Sequence, residues 1–446
     1  MQEDKRARLR QWLASGEARL QPLSLPQREL WEATPVAVSD PANHICCLIN
    51  VEGRITGQEC EAALQRVIER QEVLRLCFLP GKDGPLQMIR RTGGACLKWQ
   101  GEETPDIPAD AVEEEAQRIF RQPFDLVQSP LYRVEVLRPA RDKHVLVFAI
   151  HHALADGWSL GVFVQDLVGA FLQGRRGRHE PLPAVPLSYT AWAAAEKAAW
   201  TPAEIERRAA YWRSILDGRQ RLWPAADATP GPLQRWVTKV PAEHVPAIRE
   251  LARRSNTTLF STLLATFQLA LCRWTGVADI VVGTPVANRN KPAARETMGY
   301  FSGVVPLRRR INPDLTMDAT LRAVHESAMD GFASAMPFAE LVRALGEVPA
   351  AGRHPIFEVR FALQNHPVPD VSLPALSTQL LMRSTGTARF SLGCEITEVG
   401  PALEVVWLFQ TGLFTEAGVQ ELDRLFQGVL RSACDSPEAS VATLIA

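Results

Sequence analysis

The chain has 446 residues, 46% of them hydrophobic, more than one core usually serves, so two domains or subdomains are expected. Charged residues make up 22% and the formal net charge is -1, which supports neither a nucleic-acid partner nor an anionic membrane surface. No apolar run reaches spanning length, Met1-Gln2-Glu3-Asp4-Lys5-Arg6 is not followed by a signal-peptide h-region, and the eight cysteines form no Cys-x-x-Cys pair or zinc-ligand spacing.

Asn43 to Val51 reads as a strand, with Cys46 and Cys47 on opposite faces. A helix is expected from Gly57 to Arg75, with Cys60, Ala63, Leu64, Val67 and Ile68 on one side. Leu86 to Arg90 is a weaker strand and Glu113 to Arg121 a short helix. Leu131 to Leu137 and His144 to Ile150 are strands joined by the turn Arg141-Asp142-Lys143. The second is apolar on both faces and so reads as central. A helix follows from Ser159 to Leu172. Gly174 to His179, then Pro181, Pro183 and Pro186, form the best linker candidate.

In the second half, Ala203 to Leu216 reads as a helix and Gln234 to Val240 as a strand. Asn256 is expected to cap a helix reaching Trp274, with Gly276 as its stop. Strands follow at Asp279 to Val282 and Val304 to Ile311, then a helix from Met317 to Met329. Ile356 to Leu363, Ser391 to Glu398 and Leu403 to Phe409 are strands, and Glu416 to Ser432 is a closing helix. Both halves mix strands and helices, an α/β-sandwich pattern. The thiols read as reduced, mostly packed residues of a cytoplasmic protein.

The chemistry concentrates at His151-His152-Ala153-Leu154-Ala155-Asp156-Gly157. A buried strand ends there in two histidines, and a neutral imidazole can accept a proton near pH 7. Strand geometry would let only one of the two face a given cavity. Asp156 can orient a histidine or pair with a distant cation. Gly157 permits a tight turn or close approach by a ligand. The spacing fits neither a zinc-protease motif nor a serine-hydrolase elbow.

This stretch resembles the His-His-x-x-x-Asp-Gly signature of nonribosomal peptide synthetase condensation domains, relatives of chloramphenicol acetyltransferase. Further resemblances follow in order. Leu23-Ser24-Leu25-Pro26-Gln27-Arg28-Glu29-Leu30-Trp31 is similar to the opening motif. Arg70 to Phe78 is similar to the second, with Gln71 where the family usually has His. Pro123-Phe124-Asp125-Leu126 with Pro130-Leu131-Tyr132-Arg133, Ser188-Tyr189-Thr190-Ala191-Trp192 and Val281 to Arg289 also resemble the family. Met298-Gly299-Tyr300-Phe301 opens another motif, but Ser302-Gly303-Val304 replaces its usual Val-Asn-Thr. Pro337-Phe338 and Arg353 to Phe357 are looser matches.

The resemblance implies two chloramphenicol-acetyltransferase-like α/β-sandwich subdomains in a V-shaped pseudo-dimer with an interface tunnel. Their expected extents are 1–175 and 191–446, with 176–190 as linker. It implies amide formation between a donor thioester and an aminoacyl-carrier protein. His152 is expected to face the amine as general base or as a positioning group. His151 belongs to the same catalytic motif and is expected to pack behind it. Asp156 is expected to pair with Arg289, and Gly157 to give room to the substrate arm or an N–H to the thioester oxygen. Trp158 is expected in the core and Ser159 as a helix N-cap. Arg175-Arg176-Gly177-Arg178 reads as a solvated linker that could touch an acidic carrier protein.

No cofactor is expected to reside in this domain, substrates being carried on phosphopantetheine and coenzyme A. The expected partners are a peptidyl carrier protein and an adenylation domain, the domain itself being monomeric. Met1 lies about two dozen residues before the first motif, and the tail from Ser436 to Ala446 resembles the start of a linker to an adenylation domain. These ends suggest a starter domain, which N-acylates a carrier-bound amino acid from a (fatty) acyl-CoA. The alternatives are an elongation domain fed by a separate polypeptide, an epimerisation domain, and a silent recruitment module.

Overall fold

The computed structural model describes residues 2–34, 36–82, 84–100, 106–223, 232–348, 353–364, 371–373, 376–383 and 390–445. Met1 and Ala446, on which the reading of the chain ends partly rests, lie outside the described residues.

Two six-stranded sheets, each with its own apolar core, organise the described residues. The first runs in the order Val371–Leu373, Leu376–Arg383, His44–Glu52, Lys143–His151, Tyr132–Ala140, Leu97–Trp99. Lys143–His151 is central and buried at every position after Lys143, as apolar side chains on both faces require. On one face Phe148 stacks on Phe163 of the helix Gly157–Arg175, ring centroids 3.9 Å apart. Three positions on, His151 points to the opposite face. Its ladder partner is His44.

The second sheet runs Gly303–Arg310, Asp279–Val286, Val359–Gln364, Leu392–Val399, Ala402–Gln410, Leu233–Val240. The helices Leu259–Thr275, Met317–Ala333 and Glu416–Asp435 contribute to its core. Among the described residues no helix is long and apolar enough to cross a membrane. All eight cysteines are free, and six are buried.

The halves interlock. Leu376–Arg383, from late in the chain, pairs antiparallel with His44–Glu52 and completes the first sheet. Ala294, Met298, Tyr300 and Phe301 also enter the first core. The helices Leu25–Glu32 and Phe338–Ala344 meet across the halves through Arg28–Glu340 and Glu32–Arg343, both 3.1 Å.

Three local expectations differ from the structure. The helix expected over 57–75 stops at Arg70, because Gln71 leaves helical angles (φ −103, ψ 102) and turns its amide to tertiary partners. Asn256 does not cap the next helix. It takes the left-handed conformation (φ 52) just after Val245–Arg254, and Thr258 caps Leu259–Thr275 instead. Asn tolerates that conformation as few residues do. Ser159 is likewise not an N-cap. Asp156 is, and Ser159 stands three residues on as the other half of a capping box. No strand was expected over 376–383, where Leu380, Leu381 and Met382 run consecutively and break any apolar–polar alternation.

Candidate active site

The central strand ends at His151, a single 3-10 turn covers His152–Leu154, and the helix Gly157–Arg175 begins two residues later. The His151 side chain caps that turn. Its Nδ1 accepts from the Ala153 N–H at 3.1 Å, and its Nε2 donates to the Val38 carbonyl at 2.8 Å. Both ring nitrogens are thus engaged, and the residue is fully buried. His152 has the opposite tautomer. Its Nδ1 lies 2.9 Å from the Ala155 carbonyl. A carbonyl only accepts, so Nδ1 carries the hydrogen and Nε2 of the neutral ring holds a lone pair. His152 is half-buried.

Asp156 is 2% exposed and Arg289 4%. Asp156 Oδ1 accepts from Arg289 at 2.9 Å and from the Ser159 N–H at 3.0 Å, and Oδ2 accepts from the Phe301 N–H at 3.2 Å. The Arg289 guanidinium also donates to the carbonyls of Ala294 and Thr297, both at 2.6 Å, and lies 3.9 Å over the Phe301 ring. Ser159 Oγ sits among these groups, 3.1 Å from the Gly299 N–H and 2.9 Å from the Gly299 carbonyl. Trp158 donates its indole N–H to the Arg295 carbonyl. The two halves are therefore joined directly behind the histidines.

Gly157 is the first residue of its helix, where an N–H has no intrahelical acceptor. Arg175 still belongs to that helix and pairs with Glu59 at 2.9 Å, whereas Arg176 and Arg178 beyond it are exposed.

Several residues at the site gained no role from the sequence. Gln27 is fully buried, and its side-chain N–H donates to the Ala153 carbonyl at 2.9 Å, which braces the histidine turn. Gln71 donates to Asp166 at 2.8 Å and to the Glu296 carbonyl at 3.0 Å, and accepts from the Met298 N–H at 2.9 Å. Burial pushes the Asp166 carboxyl up, against its bonds to Gln71 and Arg70. Tyr300 lies against His152 with ring centroids 4.4 Å apart. At the departure 302–304, a Cβ on Gly303 would meet the Asn288 amide nitrogen at 3.2 Å. That amide instead donates to the Phe301 carbonyl at 3.0 Å.

Burial lowers the His44 imidazole to about 4, despite its bond to the Phe120 carbonyl. Two cavities lie toward the other end of the same sheet. One, about 40 Å³ and apolar, is lined by Ile49, Leu64, Leu146 and Val164. The other, about 510 Å³, is lined by Asn50, Glu52, Lys143 and Gln379. Neither reaches the His152 turn.

The family described as Condensation domain matches residues 17–445. Chondramide synthase cmdD of Chondromyces crocatus is 29% identical over 438 residues, which are 95% of this chain and 11% of that protein. Isonitrile lipopeptide synthase of Mycobacterium tuberculosis is 29% identical over 446 residues, 95% of this chain and 18% of that protein. The chain thus spans a small part of either relative. A holo four-domain nonribosomal peptide synthetase, bound to AMP and glycine, superposes with a TM-score of 0.82 at 20% identity, over 96% of this chain and 34% of that one. The starter condensation domain of rhizomide synthetase, in complex with C8-CoA and Leu-SNAC, gives 0.81 at 21% identity over 95% and 96%.

Proposed function

Since the chain belongs to the condensation-domain family of nonribosomal peptide synthetases, with its V-shaped pair of α/β lobes and amide-forming acyl transfer, we propose that His152 carries this chemistry. The observation that carries the reading is the His152 tautomer: the Ala155 carbonyl holds the hydrogen on Nδ1 and leaves Nε2 as the proton acceptor.

The acceptor's α-amine attacks the carbonyl of the donor thioester. The C–N bond forms, the C–S bond breaks, and the amine proton passes through Nε2 to the departing thiolate. Acid–base help of this kind is worth a factor of about 10²–10⁴, and proximity of the two bound thioesters up to ~7–11 kcal/mol. Positioning therefore contributes more than proton transfer. The Gly157 N–H, at a helix start, is suited to the developing oxyanion. His151, Asp156 and Arg289 hold the turn and take no part in proton transfer.

The lobes are drawn as 1–175 and 191–446 with the linker 176–190, and the substrates run in a tunnel between them. The acceptor partner is a peptidyl carrier protein with its phosphopantetheine arm, loaded by an adenylation domain. The finer proposal is a starter domain whose donor is an acyl-CoA. The likeness to the C8-CoA-bound starter domain is in keeping with it. Six buried free thiols favour a reducing, cytoplasmic setting.

The test is intact mass spectrometry of an aminoacyl-carrier protein incubated with this domain and a panel of acyl-CoAs. N-acylation by the wild type and its loss in His152→Ala are expected. Product from an upstream aminoacyl-carrier donor but from no acyl-CoA would replace the starter reading with elongation. A His152→Ala protein working at the wild-type rate would overturn the catalytic one.

A further inference from the structure

The His152 ring is tied through Nδ1 to the Ala155 carbonyl. A hydrogen bond at that atom sets the direction of a ring but restrains its tilt weakly. A ring contact comes from the other half of the chain. The Tyr300 ring packs on the imidazole at 4.4 Å between centroids, with 52° between the planes.

Tyr300 is itself firmly held. It is 2% exposed. The residue before it is clamped by Ser159 Oγ, which meets both the Gly299 N–H and the Gly299 carbonyl. The Tyr300 carbonyl accepts from the Tyr189 hydroxyl at 3.0 Å. The residue after it gives its N–H to Asp156. Gly299 is obligatory here, because a Cβ would lie 2.2 Å from the Tyr189 ring. Three successive residues are thus fixed by the same buried network that contains the Asp156–Arg289 pair.

We propose that Tyr300 is a positioning residue for His152: the segment 299–301, locked by Asp156, Ser159 and Tyr189, presents the tyrosine ring as a wall that sets the imidazole plane. The inference rests on the reading of His152 as the group that receives the amine proton. When Nε2 is protonated, the ring becomes a cation within about 6 Å of an aromatic centroid, a favourable arrangement. The wall therefore serves the charged intermediate as well as the neutral base. It also assigns the Asp156–Arg289 pair an indirect effect on catalysis, exerted through the place of Tyr300.

The experiment compares Tyr300→Leu, which keeps bulk and removes the ring, with Tyr300→Phe, which restores the ring. Each is made in protein with ¹³Cε1-labelled histidine, and His152→Gln assigns the His152 signal. Tyr300→Leu is expected to move the His152 Cε1–H resonance out of the tyrosine ring current. It is also expected to lower kcat about 10- to 100-fold, the cost of a misplaced catalytic group, with KM for the acceptor carrier protein changed by less than about twofold. Tyr300→Phe is expected to recover most of both effects. A Tyr300→Leu enzyme with wild-type kcat, or with KM raised and kcat intact, overturns the proposal, as does an unmoved resonance. If His152→Gln itself retains full rate, the reading of His152 fails, while the resonance still reports whether Tyr300 holds the ring. Should Tyr300→Leu not fold, Tyr300→Met carries the same comparison.

Discussion

Asp156 and Arg289 stand 133 residues apart in sequence and form an ion pair at 2.9 Å with side chains only 3% and 2% exposed. Asp156 closes the turn that carries His152, and Arg289 follows a strand of the other sheet. The pair joins the two halves where the chemistry is proposed. Burial makes it costly to break, since removing one partner leaves the other charged without compensation.

Asp156→Ala and Arg289→Ala are each expected to lower stability by roughly 3–5 kcal/mol. The double variant should cost clearly less than the two together, because the second change removes the stranded charge. Urea titrations of the four proteins at neutral pH give the coupling. Strictly additive losses would show that the two residues do not act as a unit.

Gln71 is 1% exposed and bridges Asp166, the Glu296 carbonyl and the Met298 N–H. Gln71→Ala strands the buried Met298 N–H and leaves Asp166 with Arg70 as its remaining side-chain partner, at an expected cost of about 1–3 kcal/mol. Gln71→His should cost less. One imidazole nitrogen can accept from Met298 while the other donates to Asp166, which leaves only the Glu296 bond unmade. Equal urea midpoints for the two variants would contradict this.

His44 titrates at about 4 in the folded protein, mainly because burial disfavours its charged form, against about 6.5 in an unfolded chain. The unfolded chain therefore takes the proton first. The stability contribution is whole above pH about 6.5, falls as pH drops toward 4, and changes no further below that. Arg133 lowers this pKa and Asp40 raises it, both less than burial does. Between pH 7.5 and 4.5, wild type should lose roughly 2–3 kcal/mol more than His44→Gln. Urea unfolding at the two pH values measures the difference.

Two glycines make a contrasting pair. A Cβ on Gly283 would lie 2.0 Å from the ring of Phe357, which is fully buried and stacked on Phe390. Gly283→Ala is expected to destabilise by about 1–3 kcal/mol or more. Gly428, inside the helix Glu416–Asp435, has no atom within 4 Å of its would-be Cβ. Gly428→Ala should stabilise by about 0.5–1 kcal/mol. Thermal melts of both, run side by side, should shift in opposite directions.

Much of the fold was legible in the sequence, for local reasons. The central strand declared itself by apolar residues on both faces, and the closing helix by Val419, Leu422, Phe426 and Val429 at helical spacing. What stayed hidden depended on distant partners. Gln71 looked like one more helical residue until Asp166 and Met298 were seen to take its amide. Asn256 looked like a cap because propensity does not distinguish a residue that ends one helix from one that begins the next. Leu376–Arg383 carried no clean period, because Leu380, Leu381 and Met382 are consecutive, and nothing nearby in sequence named His44–Glu52 as its partner.

The same division holds at the site. The sequence by itself determined the reaction class, through His151 to Gly157 and the ordered motifs around them. It also determined the mixed α/β character, because periodicity is written in neighbouring residues. Only the tertiary structure decided which tautomer each histidine adopts, since that follows from the Val38 and Ala155 carbonyls brought to their rings. Only it placed Tyr300 against His152, 148 positions away in the chain. A hydrogen bond or a ring contact is a property of two groups in space, and the chain order states neither their distance nor their orientation.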